Sequence, residues 1–188
     1  MLPEDYLRAL TTLGEVFASY ERRTGRSAVL VGGAAAAIYS AGEFQSGDFD
    51  IVAFSDDDFQ KAMAEHGFLP EDRVGQLKIG FYHPDHLAYG FQQVSGQLFD
   101  GKSDEHRVLA FSIAASGTIT LPAIEDLIAD RLGQHAVASP TDESRLRQAI
   151  YLYRMALEID GEYLRRRVQE EGGDLSLLDV ANLMEDEA

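Results

Sequence analysis

Apolar side chains recur at three- and four-residue steps through the first stretch of the chain. Tyr6, Leu7, Leu10, Leu13, Val16, Phe17 and Tyr20 follow that spacing between Pro3 and about Arg23, which predicts an amphipathic helix. The texture then shortens. SAVLV (27–31) is short, β-rich and closed by Gly32-Gly33, which predicts a buried strand, and AAAAIYSA predicts a short helix packed tightly on it. DFDIVAF (48–54) predicts the next strand, and DDDFQKAMAEHGF a helix whose first acids complement its dipole. From about Leu77 to Leu121 the runs LKIGFYH, LAYGFQQVSG, RVLAFSIAA and TITL are split by Pro, Gly, Asp and Ser, a pattern of strands and hairpins. Beyond LPAIEDLIADRL, with Pro122 suited to a first helical turn, the pattern is helical. Ser139-Pro140 opens TDESRLRQAIYLYRMALEI, with Leu146, Ile150, Tyr153 and Leu157 on one face, and two shorter helical stretches follow. The expected plan is α+β: a mixed β-sheet flanked by helices over residues 1–121, then a C-terminal helical bundle over 122–188.

With 188 residues, 45% of them hydrophobic and 26% charged, the chain can bury a real core and reads as a soluble globular protein. No window nears the ~18 uninterrupted apolar residues of a membrane span. MLPEDYLRAL is acidic where a signal peptide is basic, so the expected compartment is the cytoplasm. The absence of cysteine excludes disulfides, thiolate metal sites and cysteine nucleophiles. Thirty-two acidic against 16 basic residues give a net charge of −16, which repels polyanions and excludes non-specific nucleic-acid binding. A small anion carried with a divalent cation remains compatible with that charge.

The candidate chemistry lies at the start of the second strand. Residues two apart in a strand point to one side, so Asp48 and Asp50 present both carboxylates to one place while Phe49 turns to the core. Two like charges that close repel unless a cation sits between them. Mg²⁺ suits such a pair, taking one or two carboxylates, waters and phosphate oxygens. Upstream, Gly32-Gly33 leaves room for backbone N–H groups at a helix N-terminus to meet a phosphate, although a tight, closely packed turn explains the same glycines. Ser46 fits either a phosphate contact or an ordinary loop serine.

Strand, Gly32-Gly33, small helix, Ser46-x-Asp48-x-Asp50 and apolar strand, over about residues 28–54, together resemble the signature of the nucleotidyltransferases related to polymerase beta. The texture is closest to bacterial stand-alone members similar to AbiEii-type toxins and aminoglycoside nucleotidyltransferases. ITLPAIEDLIADRL is similar to the segment where, in those relatives, a strand leads into the C-terminal bundle. The resemblance implies Mg²⁺-dependent transfer of a nucleoside monophosphate from an NTP to an unidentified hydroxyl acceptor: a small molecule, an RNA end or a protein side chain. It assigns Asp48 and Asp50 as catalytic metal ligands, and Gly32, Gly33, Ser46 and Arg131 as nucleotide contacts. Relatives usually take a third carboxylate from a later strand, where AYGFQQVSG carries Gln92 with Gln93 beside it. AbiEii-like relatives often show a basic–acidic pair where this chain has Arg147-Gln148, and lysine where it has Arg131. An amide cannot take a proton or offer a metal full anionic charge. The alternative is therefore a catalytically impaired binding or regulatory protein of a toxin-antitoxin-like system. Asp85, Asp100 and Asp104 are candidate substitutes for the third acid.

Other motifs have plain structural readings. HPDH (83–86) offers metal-ligand residue types but is also normal turn chemistry. SDDDF (55–59) fits helix capping. Arg165-Arg166-Arg167 reads as a solvated helix face, with tRNA or a partner as the rival. Asp130 and Arg131 read as a structural pair, with Arg131 reaching the nucleotide as the rival. A third overall reading makes Asp48 and Asp50 solvated charges of a purely structural domain.

Overall fold

The computed structural model describes residues 1–71, 79–104, 106–113, 117–139 and 141–183. The expected strand positions Leu77, Lys78, Ala114 and Ala115, and the helix-opening Pro140, lie outside them. Two compact units form: residues 1–101 with 105–122, and residues 102–104 with 123–188.

The first unit begins with α1 (Glu4–Thr24). Glu4 and Asp5 in its first turn and Arg22 and Arg23 in its last complement the helix dipole, and Gly25, left-handed at φ 69°, closes it. Then come β1 (Val29–Val31), α2 (Gly32–Tyr39), β2 (Asp48–Val52), α3 (Asp56–Glu65), β3 (Leu69–Pro70), β4 (Ile79–Tyr82) and β5 (Gly90–Ser95). The five strands make a mixed sheet in the order β1-β2-β5-β4-β3. Only the β2–β5 pair in it is parallel. One face of the sheet is aromatic: Phe49 stacks on Tyr6 of α1 and on Phe91 of β5, each at 4.9 Å between ring centres. Elsewhere Val29, Val31 and Val52 cluster with Val94, Leu98 and Phe99. β6 (Val108–Ile113) and β7 (Gly117–Pro122) form a separate antiparallel hairpin.

The second unit is helical: α4 (Ile124–Ala136), α5 (Ser144–Met155), α6 (Gly161–Glu171) and α7 (Ser176–Leu183). This is the anticipated α+β architecture, a mixed sheet flanked by helices with helices after it. Three local expectations are corrected. Pro122 ends β7, where its carbonyl accepts from Tyr39 Oη at 2.7 Å, and α4 starts only at Ile124. α5 stops at Met155 because Ala156 is extended, so Leu157 leaves the helix face and is fully exposed. LAYGFQQVSG becomes a strand only from Gly90; Pro84–His86 is a single 3-10 turn and Leu87 after it is exposed.

Candidate functional site

Alternation along β2 builds the site. Phe49 and Ile51 are fully buried. Burying two such side chains contributes about 3 to 6 kcal/mol, enough to hold the register against a slip that would drive aspartates into the core. Asp48 and Asp50 therefore project from the other face, Asp48 exposed and Asp50 partly buried.

The glycine turn arrives beside them. Val31 pairs with Asp50 across β1 and β2. The chain then bends at Gly32, whose φ of 67° is a left-handed conformation that favours glycine. A Cβ on Gly32 would stand 2.6 Å from Asp50 Oδ2, and one on Gly33 would stand 3.0 Å from Ser46 Oγ. Ser46 Oγ donates to the Asp48 carbonyl at 2.8 Å and accepts from its N–H at 3.3 Å, a local turn that feeds the chain into β2. α2 has no acidic residue in its own first turn and no side-chain hydrogen bond from its N-cap, so the carboxylate that faces its partial positive end is that of Asp50 on β2.

β5 extends the row across the sheet. Gly90 stands opposite Asp48, and Gln92 opposite Asp50. A Cβ on Gly90 would stand 2.6 Å from Asp48 Oδ1, so the absent side chain makes room for that carboxylate. One strand further, Gly80 of β4 pairs with Gln92. Glu71 donates its backbone N–H to the Gly80 carbonyl at 2.8 Å. Its carboxylate covers that glycine: a Cβ on Gly80 would stand 2.9 Å from Glu71 Oε2. Gln92 is thus an amide on the aspartate face, whereas Gln93 is buried and donates to the Ala53 carbonyl at 2.9 Å and to Asp56 Oδ1 at 2.7 Å. Sequence spacing carries no signal for Glu71 or Gly90, because only strand register brings them to the aspartates.

Among the described residues no group of three or more His, Asp or Glu side chains is arranged to hold a metal ion. Two carboxylates beside a neutral amide fit one Mg²⁺ that keeps waters and phosphate oxygens in its shell, and do not fit a two-ion site.

The other sequence candidates have identifiable tasks. Asp85 gives its N–H to His83 Nδ1 at 3.1 Å, and His83 Nε2 lies 3.1 Å from the His66 carbonyl, so HPDH is a hydrogen-bonded turn. Burial, with the His83 ring next in effect, holds the His86 imidazole below its usual pKa. Asp100 lies in a left-handed turn at φ 56°, and Asp104, in the second unit, pairs with Arg166 at 2.8 Å. Asp56, Asp57 and Asp58 occupy the first turn of α3, where Ser55 Oγ donates to Asp58 Oδ2 at 2.8 Å.

Within the second unit Arg131 is buried. Its Nε donates to Asp130 Oδ2 at 3.0 Å and its Nη1 to Gln148 Oε1 at 3.4 Å. Arg147 pairs on the surface with Glu143 at 3.4 Å. The arginine run needs correction: Arg165 and Arg166 are exposed, but Arg167 is fully buried. It donates to Asp126 at 2.5 Å and to Glu170 and Glu171 at 2.7 Å each. Successive helix positions face different ways, so Arg167 falls on the inner face with Tyr163, Leu164 and Val168.

In the first unit an open cleft of about 430 Å³ is lined by Gly14, Glu15, Glu21, His66 and Thr118, among others, none of them in the aspartate row. No helix among the described residues is long and apolar enough to cross a membrane.

No protein-family model matches the sequence, and no curated protein does. Among solved structures the chain is similar to an antigenic nucleotidyltransferase-like protein from Paracoccidioides brasiliensis. The match has a TM-score of 0.60 and 13% identity, and covers 90% of this chain and 88% of that one. At such identity the likeness is one of fold, and the fold is nucleotidyltransferase-like.

Proposed function

We propose that this chain binds an NTP with Mg²⁺ at the aspartate face of β2 and transfers its nucleoside monophosphate to a hydroxyl acceptor. The observation that carries the reading is the seating of Asp50 Oδ2 in the space that Gly32 leaves open, which sets that carboxylate against a helix N-terminus. Asp48 and Asp50 would hold the ion. When bound, Mg²⁺ would neutralise charge on the α-phosphate and on the departing pyrophosphate. Backbone N–H groups at Gly32 and Gly33 would meet phosphate oxygens, which helix N-termini favour. Ser46 would act by keeping the turn before Asp48 closed. Arg131 would act by joining Asp130 to Gln148, so Arg131→Met should lower melting temperature more than NTP affinity.

Titration calorimetry of Mg²⁺–NTP against the protein and against Asp48→Ala/Asp50→Ala tests the reading. Binding to the protein and none to the double variant is expected; equal binding to both sinks the assignment. A second reading, a binding or regulatory protein of a toxin-antitoxin-like system, draws on Gln92 at the register position of Asp50. It predicts Mg²⁺–NTP binding without pyrophosphate release, and any release abolished by Asp50→Asn excludes it. The localisation that fits either reading is cytoplasmic.

A further inference from the structure

We infer that Glu71 is a catalytic residue of this site, the base that takes the proton from the incoming hydroxyl in place of the neutral Gln92. The inference rests on the nucleotidyl-transfer reading above. Asp50, Gln92 and Gly80 stand in register on neighbouring strands β2, β5 and β4, so their side-chain positions share one face of the sheet. Glu71 follows β3, and its N–H donates to the Gly80 carbonyl at 2.8 Å, which continues the same row. Because residue 80 has no side chain, the Glu71 carboxylate lies where one would be. The position of a Cβ at residue 80 is 2.9 Å from Glu71 Oε2 and 3.5 Å from Glu71 Cβ and Cδ. Directly paired residues have side chains about 5 Å apart, and two strand spacings are about 10 Å. A hydroxyl seated above Gln92 would therefore have Asp50 on one side and the Glu71 carboxylate on the other. The Gln92 amide can hold that oxygen by a hydrogen bond but cannot accept its proton.

In the step, the acceptor O–H breaks and its proton passes to the Glu71 carboxylate. The oxygen pair forms a bond to the α-phosphorus, and the bond to the β-phosphate oxygen breaks with its electrons leaving on pyrophosphate. With water as acceptor the products are a nucleoside monophosphate and pyrophosphate. Asp85, Asp100 and Asp104 are not required by this arrangement.

The test measures pyrophosphate release from each common NTP with Mg²⁺ and water, alongside Mg²⁺–NTP binding by calorimetry and thermal melting. We expect release by the unaltered protein and a loss of a hundredfold or more in Glu71→Gln, with melting and nucleotide affinity unchanged. Glu71→Gln/Gln92→Glu, which moves the carboxylate one strand along the row, should regain part of the release. Release by Glu71→Gln at the original rate overturns the inference and leaves the nucleotide reading standing. So does a Glu71→Gln loss matched by an equal loss of affinity. Binding by the unaltered protein without any release overturns Glu71 as a base, and no binding at all overturns both.

Discussion

Replacing Arg167 with methionine tests the energetics of the helical unit. Asp126 and Arg167 have no exposed side-chain surface, and their ion pair is supported by Tyr163 Oη, which lies 3.0 Å from each Asp126 carboxylate oxygen. Burial pushes the Asp126 carboxyl above its usual pKa, with Arg167 and Tyr163 pulling the other way. Burial also opposes the Arg167 charge, but Asp126, Glu171 and Glu170 together hold it above its usual value. Arg167→Met leaves Asp126 buried with the phenol alone, and breaking one side of such a pair costs about 3 to 5 kcal/mol. Removing both charges, in Asp126→Leu/Arg167→Met, should recover most of that loss, short by about 1 kcal/mol for the phenol's lost acceptor. The single-variant deficit should shrink as pH falls: with its pKa raised in the folded state, Asp126 takes up a proton there before the unfolded chain does. Urea unfolding of both variants at several pH values reads these quantities. A cost below about 1 kcal/mol for Arg167→Met, or a double variant no more stable than the single, refutes the reasoning.

Two further outcomes follow from the first unit and the phenols. Gly90→Ala should weaken Mg²⁺–NTP binding tenfold or more, about 1.4 kcal/mol, by displacing the Asp48 carboxylate. Gly96→Ala is its control, since a Cβ there would find no heavy atom closer than 3.8 Å, and equal affinities for the two variants would refute the seat at Gly90. Burial is the main cause that raises the phenols of Tyr6, Tyr89 and Tyr163, the last two to about 12. A pKa raised in the folded state contributes stability that is complete below the unfolded value and lost as pH rises toward the folded one. Stability should therefore fall from about pH 10 toward about pH 12, and ultraviolet titration should show phenol ionisation continuing up to about pH 12. Simultaneous ionisation of all eight tyrosines in a folded protein would contradict this.

Periodicity along the chain determined most of the elements, because amphipathic spacing and strand alternation are local consequences of backbone geometry. The same locality put Asp48 and Asp50 on one side of a strand, whereas the expectation of an acid at Gln92 came only from the resemblance to the nucleotidyltransferases. Tertiary structure alone decided that β5 lies parallel against β2, since that pairing joins residues some forty positions apart and follows from packing Phe49 and Phe91 together. It also decided that Glu71 reaches the row over Gly80, because no spacing rule connects a loop carboxylate to a glycine on the neighbouring strand. Helical spacing puts Arg167 on the face of Tyr163, Leu164 and Val168, but the carboxylates that meet it there were out of reach of pattern. Three adjacent arginines look alike in sequence, and the carboxylates of Asp126, Glu170 and Glu171 help offset the cost of taking one of them out of water.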